Sequence, residues 1–162
     1  MKYLTVSVLI LMALAAVTCR ANDLVGSKAP QINISQWLTD NPPDLKNPTG
    51  KVRVIDFWAT WCGQCVREIP HFVQLCEKYK SMEVEFIALS QDKSSANVRK
   101  MINEKGINYH VAIDNGSADN FDVGGYPTVV VIDRTGKIIW MGFPWLTGFE
   151  KAITQALAPA QS

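Results

Sequence analysis

Two cysteines, Cys62 and Cys65, are the side chains of this 162-residue chain best suited to chemistry, because only two residues separate them. A strand-like apolar run, 52–57, precedes the pair, and a helix-like segment, 66–79, follows it. Cys62 is therefore expected at a helix N-terminus, where free backbone N–H groups and the helix dipole favour a negative charge. Because thiolate is the reactive form of cysteine, this position predicts that Cys62 is a nucleophile. Cys65, one turn further along, can close a disulfide with it.

Zinc binding and a purely structural disulfide are alternative interpretations of this pair. A zinc site needs a second pair of Cys or His ligands at ligand spacing. The other cysteines, Cys19 and Cys76, are single, and the two histidines, His71 and His110, lie far apart in the sequence. A structural disulfide here would close too small a loop to restrict the unfolded chain much. Both alternatives stay open, but thiol–disulfide exchange is favoured.

Apolar runs divide the rest of the chain into strands. The turn sequence at 133–136 predicts that the last two strands form a hairpin. The near-continuous apolar character of the earlier runs is typical of strands covered on both faces. Strands are predicted at 52–59, 83–90, 109–113, 128–132 and 137–141.

Helices are predicted between these strands. Ser94 or Ser95 can cap a helix that ends at Gly106. The segment 147–150 predicts a capping box ahead of a last helix through Leu157. Strands that alternate with helices and end in a hairpin predict an α/β sandwich with a mixed central β-sheet flanked by helices.

Several separated motifs resemble those of one family. The segment 55–65, IDFWATWCGQC, resembles the active-site segment of thioredoxins. Pro70 matches the proline that kinks the family's active-site helix, and the segment 125–127, Gly-Tyr-Pro, resembles the family's cis-proline loop. The segment 26–30, GSKAP, is similar to the start of the domain in the family's extracytoplasmic branch, whose reductases resemble those that serve cytochrome c maturation.

The resemblance covers roughly residues 24 to 158 and implies a thioredoxin-like fold. The predicted helix and strand between residues 94 and 113 are an insertion that fits the extracytoplasmic branch better than a minimal thioredoxin. The predicted C-terminal β-hairpin and helix complete this fold. The redox-active disulfide is then the only redox group implied, with no separate cofactor and no metal.

Asp56 lies within an otherwise apolar strand, six residues before Cys62. The resemblance implies that Asp56 lies beneath the cysteine pair and takes or gives the proton of Cys65 during exchange. A buried carboxylate is costly unless it has a partner, and burial raises its pKa. The alternative is an acidic residue that faces solvent, because side chains alternate along a strand.

The resemblance also implies a surface that binds a substrate chain. Pro127 is expected in a cis peptide bond against the cysteine pair, where the backbone of Tyr126 can pair with an extended substrate segment. Proline at the start of a strand can equally be structural, since it cannot donate to the sheet. Trp61 can pack in the core or contact a partner. The predicted substrate-binding residues are Trp61, Gly63, Gln64, Gly125, Tyr126 and Pro127.

The N-terminus resembles an export signal. Lys2 precedes an apolar run of 15 residues, 3–17, that is short for a membrane span and suits a signal peptide cut after Ala21. Lipid attachment at Cys19 or an uncut anchor are the alternatives. Three segments are therefore expected: a signal peptide at 1–21, an irregular lead-in at 22–50 and a thioredoxin-like domain at 51–158.

Charge limits the partners of the exported domain. The whole chain has a formal net charge of +1, and loss of residues 1–21 removes two basic residues and no acidic one, which leaves −1. A near-neutral domain has no basic face for nucleic acid and no reason to prefer an anionic membrane. Cys76 repeats at helical spacing with apolar residues, so a buried core thiol is expected rather than a regulatory third cysteine.

These expectations combine into an exported, periplasmic or extracytoplasmic thiol–disulfide oxidoreductase that reduces protein disulfides. Such a protein, soluble or membrane-tethered and expected to be a monomer, would be re-reduced by a membrane electron donor. One alternative is an oxidase that donates disulfides, since Gln64 departs from the usual Gly-Pro dipeptide that tunes the redox potential. An alternative of another class is a non-catalytic metallochaperone that holds Cu(I) on its thiolates.

Overall fold

The computed structural model describes residues 24–46 and 50–158, and its centre is one mixed sheet of six strands. The sheet order is β1-β4-β3-β2-β5-β6, with β2, β3 and β4 parallel to one another and the other three pairings antiparallel. The strands are β1 Ile34–Trp37, β2 Val52–Trp58, β3 Val84–Ser90, β4 His110–Asp114, β5 Thr128–Ile132 and β6 Ile138–Gly142. The helices are α1 Gly63–Tyr79, α2 Ser95–Lys105, α3 Ser117–Asn120 and α4 Phe149–Leu157.

Strand β2 lies in the middle of the sheet, and all seven of its residues are buried. Because side chains alternate along a strand, its residues supply two separate apolar cores. Val54 and Trp58 pack with residues of α1, α2 and α4 on one face, whereas Ile55 and Phe57 pack on the other. Asp56 therefore lies on the face covered by α1.

The N-terminal lead-in differs from its predicted irregular structure. Residues 34–37 form β1, which pairs antiparallel with β4, and Leu38 is buried in the core on the α1 face. Apolar residues of the lead-in, including Leu24 and Leu45, pack against the core on the opposite face. The described part of this segment is thus integrated with the sheet. The predicted signal peptide, with Cys19, lies outside the described residues.

Two helix starts also differ from expectation. The capping box predicted at 147–150 is wrong, because α4 begins after Gly148, which has φ 116° and gives no side-chain cap. Helix α1 begins at Gly63, earlier than the predicted 66, with Cys62 as its N-cap. Ser94 caps α2, and Gly106 ends it in the left-handed conformation, as predicted. No helix within 24–46 and 50–158 is long and apolar enough to cross a membrane.

Candidate active site

Cys62 and Cys65 form a disulfide at the junction of β2 and α1, with their Cα atoms 5.3 Å apart. Cys62 is the N-cap of α1, and its Sγ accepts a hydrogen bond from the backbone N–H of Cys65 at 3.2 Å. Cys62 is half-buried, whereas Cys65 is 3% exposed. A partner thiol or disulfide can therefore reach Cys62 and not Cys65, and the first helical turn stabilises negative charge on Cys62.

The loop between β2 and Cys62 is held by Asp92, which follows β3. The Asp92 carboxylate accepts hydrogen bonds from Thr60 N–H at 2.8 Å and from the Thr60 hydroxyl at 2.5 Å. A third bond comes from the Ser90 hydroxyl at 2.7 Å. Sequence reasoning missed Asp92, and its signal would have been a polar residue directly after a buried strand.

Asp56 is buried on the sheet face that α1 covers, so its alternative interpretation as a solvent-facing acid is wrong. Its neighbours across the sheet are Ala88 and Val129, both buried and apolar. Its Oδ1 atom has no hydrogen-bond partner among the described residues. Burial, and secondarily the negative charge of Glu68, raise the pKa of Asp56 to about 8. The carboxyl group is thus mostly protonated at neutral pH and can exchange a proton there.

Glu68 is a second acidic residue of this region that sequence reasoning missed. It lies on α1, three residues after Cys65 and directly before the buried Ile69. Its Oε1 atom accepts a hydrogen bond from Gln64 Nε2 at 3.3 Å, and its Oε2 atom lies 3.4 Å from His71 Nδ1. Its spacing could have indicated this position, because residues three apart on a helix share a face and Glu68 follows Cys65 by three.

The predicted proline loop lies beside the cysteine junction. The Tyr126–Pro127 peptide bond is cis, and Pro127 is buried. The Trp61 and Tyr126 rings meet edge to face with centroids 5.9 Å apart. Trp61 is 66% exposed, so packing in the core is excluded for it. The Gly125 carbonyl accepts a hydrogen bond from the Thr128 hydroxyl at 2.6 Å.

An apolar loop between β6 and α4 lies at the same end of the sheet. Gly142, the last residue of β6, pairs with Val129, two residues after Pro127. Phe143 and Trp145 follow with stacked rings 5.0 Å apart, and both are exposed, as is Leu146. Sequence reasoning did not single out this loop.

Other predicted or considered residues lie elsewhere. Cys76 is half-buried rather than fully buried, and its Sγ lies 3.6 Å from the Asn108 carbonyl oxygen, to which it can donate. Burial and the charge of Glu77 raise the pKa of the Cys76 thiol, which disfavours its thiolate. Within the described residues, no three His, Cys, Asp or Glu side chains are grouped so that they could hold a metal ion.

Comparison with known proteins agrees with this arrangement. The family model described as Redoxin matches residues 24–152. The chain belongs to the redoxin family. Thiol-disulfide oxidoreductase ResA of Bacillus thuringiensis (strain Al Hakam) is 36% identical over 117 residues, which are 71% of this chain and 67% of the relative. The ResA protein of Geobacillus thermodenitrificans (strain NG80-2) is 32% identical over 143 residues, which are 83% of this chain and 82% of the relative.

A solved structure supports the same conclusion. The crystal structure of a DsbE-like thiol:disulfide interchange protein from Chlorobium tepidum is 28% identical, with a TM-score of 0.72. The match covers 83% of this chain and 98% of that chain. The predicted thioredoxin-like fold and family are confirmed, and this redoxin is a thiol–disulfide oxidoreductase.

Proposed function

We propose that this redoxin is an exported reductase of protein disulfides, in which Cys62 is the nucleophile, Cys65 the resolving thiol and Asp56 the proton carrier. The observation that carries the proposal is the difference in exposure between the two cysteines at the N-terminus of α1. Cys62 is half-buried, Cys65 is buried, and a carboxyl group whose pKa is raised to about 8 lies on the sheet face that α1 covers.

The reaction runs in two exchanges from the dithiol form. Cys62 thiolate attacks a sulfur of the partner disulfide, so a mixed disulfide forms and the partner's other sulfur leaves as a thiolate. In the molecules whose Asp56 carboxyl is ionised, a fraction that grows as pH approaches 8, Cys65 then gives its proton to Asp56 and attacks Cys62 Sγ. This step forms the Cys62–Cys65 disulfide and releases the partner's second thiolate, so two electrons have passed to the partner.

The oxidised protein must then be re-reduced by a second dithiol. A thiolate of the donor dithiol attacks Cys62 Sγ, and Cys65 leaves as a thiolate. The donor's second thiolate then attacks the donor sulfur of this mixed disulfide, so the donor disulfide forms and Cys62 leaves as a thiolate. Because the Asp56 carboxyl is mostly protonated at neutral pH, it can return its proton to Cys65 and keep that buried sulfur uncharged. We infer that the donor is a membrane protein, since the apolar run 3–17 directs or tethers the chain to the extracytoplasmic side of a membrane.

The substrate surface is proposed to surround Cys62. Trp61 and Tyr126 lie on one side of it, with the Gly125 to Pro127 backbone available to an extended segment. Gly63, which is exposed, and the half-buried Gln64 lie on the helix side. A protein segment that carries the target disulfide can lie across this surface, so that one redoxin monomer binds one substrate molecule.

Paired cysteine variants test the proposal in the oxidised and reduced full-length protein. Cys62→Ser should abolish reduction of insulin disulfides, and Cys65→Ser should accumulate mixed disulfides with substrate. Equal activity in both variants and the unmodified protein would exclude the mechanism. The reduction potential, measured against glutathione, decides the direction: a potential far above that of the glutathione pool would mean an oxidase.

A further inference from the structure

A continuous series of polar contacts runs along α1, from the dipeptide between the cysteines to the first turn of α4. Gln64 Nε2 donates to Glu68 Oε1 at 3.3 Å, and Glu68 Oε2 lies 3.4 Å from His71 Nδ1. His71 Nε2 lies 3.5 Å from Glu150 Oε1, and Glu150 Oε2 accepts from Lys78 Nζ at 2.8 Å. The two nitrogens of His71 thus contact two different carboxylates.

The His71 ring lies against two phenylalanine rings, and its side chain is 34% exposed. Its centroid lies 6.3 Å from that of Phe149 in an edge arrangement at 90°, and 6.1 Å from that of Phe72. Both phenylalanines are fully buried. In this orientation Nδ1 faces Glu68 and Nε2 faces Glu150.

Glu68 is the member of this series that bears on the proton carrier. It lies between the buried Cys65 and Ile69 positions on α1, and its side chain is 17% exposed. Asp56 lies on the sheet face that α1 covers. The charge of Glu68 is the second cause of the raised pKa of Asp56. The position of the Glu68 carboxylate consequently affects how Asp56 binds its proton.

We propose that His71 is a positioning residue which, together with Gln64, fixes the Glu68 carboxylate beside the cysteine helix and so adjusts proton exchange between Asp56 and Cys65. The functional part of this inference rests on the proposed role of Asp56. A merely stabilising role explains the contacts less well, because ion pairs with partners as exposed as Glu150 contribute little to stability.

The test is a titration of the Asp56 carboxyl by carbon NMR in the oxidised full-length protein, with resolution of the mixed disulfide as a second measurement. Glu68→Gln should lower the pKa of Asp56. His71→Ala should lower it in the same direction, because the freed Glu68 side chain can turn towards solvent. The double variant should lower it no further than Glu68→Gln alone, since the imidazole acts through Glu68.

Two conservative variants separate the two nitrogens of His71. His71→Asn keeps a donor near the position of Nδ1 and should retain the Asp56 titration of the unmodified protein. His71→Gln keeps a donor near Nε2 instead and should behave like His71→Ala. Lys78→Gln is the matched control, because it breaks the other α1–α4 ion pair without touching Glu68, and it should leave the titration unchanged.

Three outcomes would overturn the proposal. The first is an unchanged pKa of Asp56 in His71→Ala. The second is a higher pKa in that variant, which would mean that the imidazole acts by its own charge. The third is a shift of the same size in Lys78→Gln. The titration needs no turnover, so it is separate from the proposed function. If the variants shift the pKa of Asp56 as expected but Glu68→Gln and His71→Ala resolve the mixed disulfide at the rate of the unmodified protein, the role of Asp56 as the proton carrier would be refuted instead.

Discussion

Asp56 illustrates at the residue scale how a fold can retain an unfavourable group at a reactive position. Its carboxyl lies between apolar strands, with one oxygen unpaired among the described residues. A neutral carboxyl tolerates this environment better than a carboxylate, so burial and Glu68 raise its pKa. The same environment that destabilises the anion makes the group a proton carrier near neutral pH.

Asp56→Asn should increase stability, and the increase should depend on pH. The pKa of Asp56 is about 8 in the folded protein, well above the 3.8 of an ordinary aspartate, so the folded state holds the proton more tightly. The stability of the unmodified protein should therefore fall as pH rises from about 4 to about 8. Asn removes this loss, which is on the order of a few kcal/mol.

Urea unfolding of the oxidised proteins at pH 5 and pH 8 measures this difference. The gain of Asp56→Asn over the unmodified protein should be larger at pH 8. Asp119→Asn, at an exposed carboxyl, serves as the control and should show no such trend. An equal gain at both pH values would mean that Asp56 does not titrate between them.

Asp56→Asn should also slow resolution of the mixed disulfide more than its formation. Formation needs only the Cys62 thiolate, whereas resolution must remove a proton from buried Cys65. Loss of a positioned base typically lowers a rate by about 10²–10⁴-fold. Stopped-flow traces separate the two phases, and slowing confined to the first phase would exclude this role.

Residue types explain which parts of the site could be predicted from sequence. The cysteines are recognisable by their spacing, and the role of Asp56 by the resemblance of its segment to the thioredoxin motif. Glu68 and Asp92 were missed, because acidic residues on helices and after strands usually face solvent. Only the fold shows that Glu68 borders the core and that Asp92 points back to Thr60.

At the element scale, the site depends on the ends of two neighbouring parallel strands. β2 leads into the loop before Cys62, and β3 leads to Asp92, which holds that loop. Parallel strands end at the same edge of a sheet, so residues far apart in sequence meet there. The positions of β2 to β6 were predicted within one residue, since their apolar runs are strong signals.

The elements that were missed have weaker local signals. β1 is only four residues long, with its two middle residues exposed and none buried, and it forms because β4 offers an edge for pairing. The start of α4 is set by the packing of Phe149 against Trp140 and Phe72 rather than by a side-chain cap. Tertiary contacts of this kind cannot be derived from a local pattern.

Asp92→Ala should destabilise the fold by about 2–3 kcal/mol, because Thr60 loses two hydrogen bonds to a charged acceptor. Activity should fall as well, since the loop before Cys62 is no longer held. Thr60→Val removes only the hydroxyl bond, so a smaller loss, about 1 kcal/mol, is expected. Chemical unfolding measures the loss of stability and insulin reduction the loss of activity. Equal losses of stability in the two variants would contradict the prediction that Asp92→Ala is the more damaging change.

At the scale of the whole molecule, exposed large apolar side chains are concentrated at the reactive end of the sheet. Four of them lie in loops at the edge where β2 ends and β5 begins: Trp61, Phe143, Trp145 and Leu146. Met82 is exposed between α1 and β3, at the opposite end of the parallel strands. Exposed apolar side chains grouped in this way are typical of a protein-binding surface.

Trp145→Ala should therefore weaken reduction of a protein disulfide without altering the cysteine chemistry. Loss of one exposed aromatic contact is expected to raise KM for an unfolded protein substrate by about fivefold, which corresponds to about 1 kcal/mol. The reaction of the oxidised protein with dithiothreitol should keep its rate, because so small a thiol needs only Cys62. Met82→Ala is the matched control, since Met82 is 47% exposed against 50% for Trp145 and lies away from the site. If Met82→Ala raised KM as much as Trp145→Ala, the effect would be one of general surface hydrophobicity, and the β6–α4 loop would have no part in substrate binding.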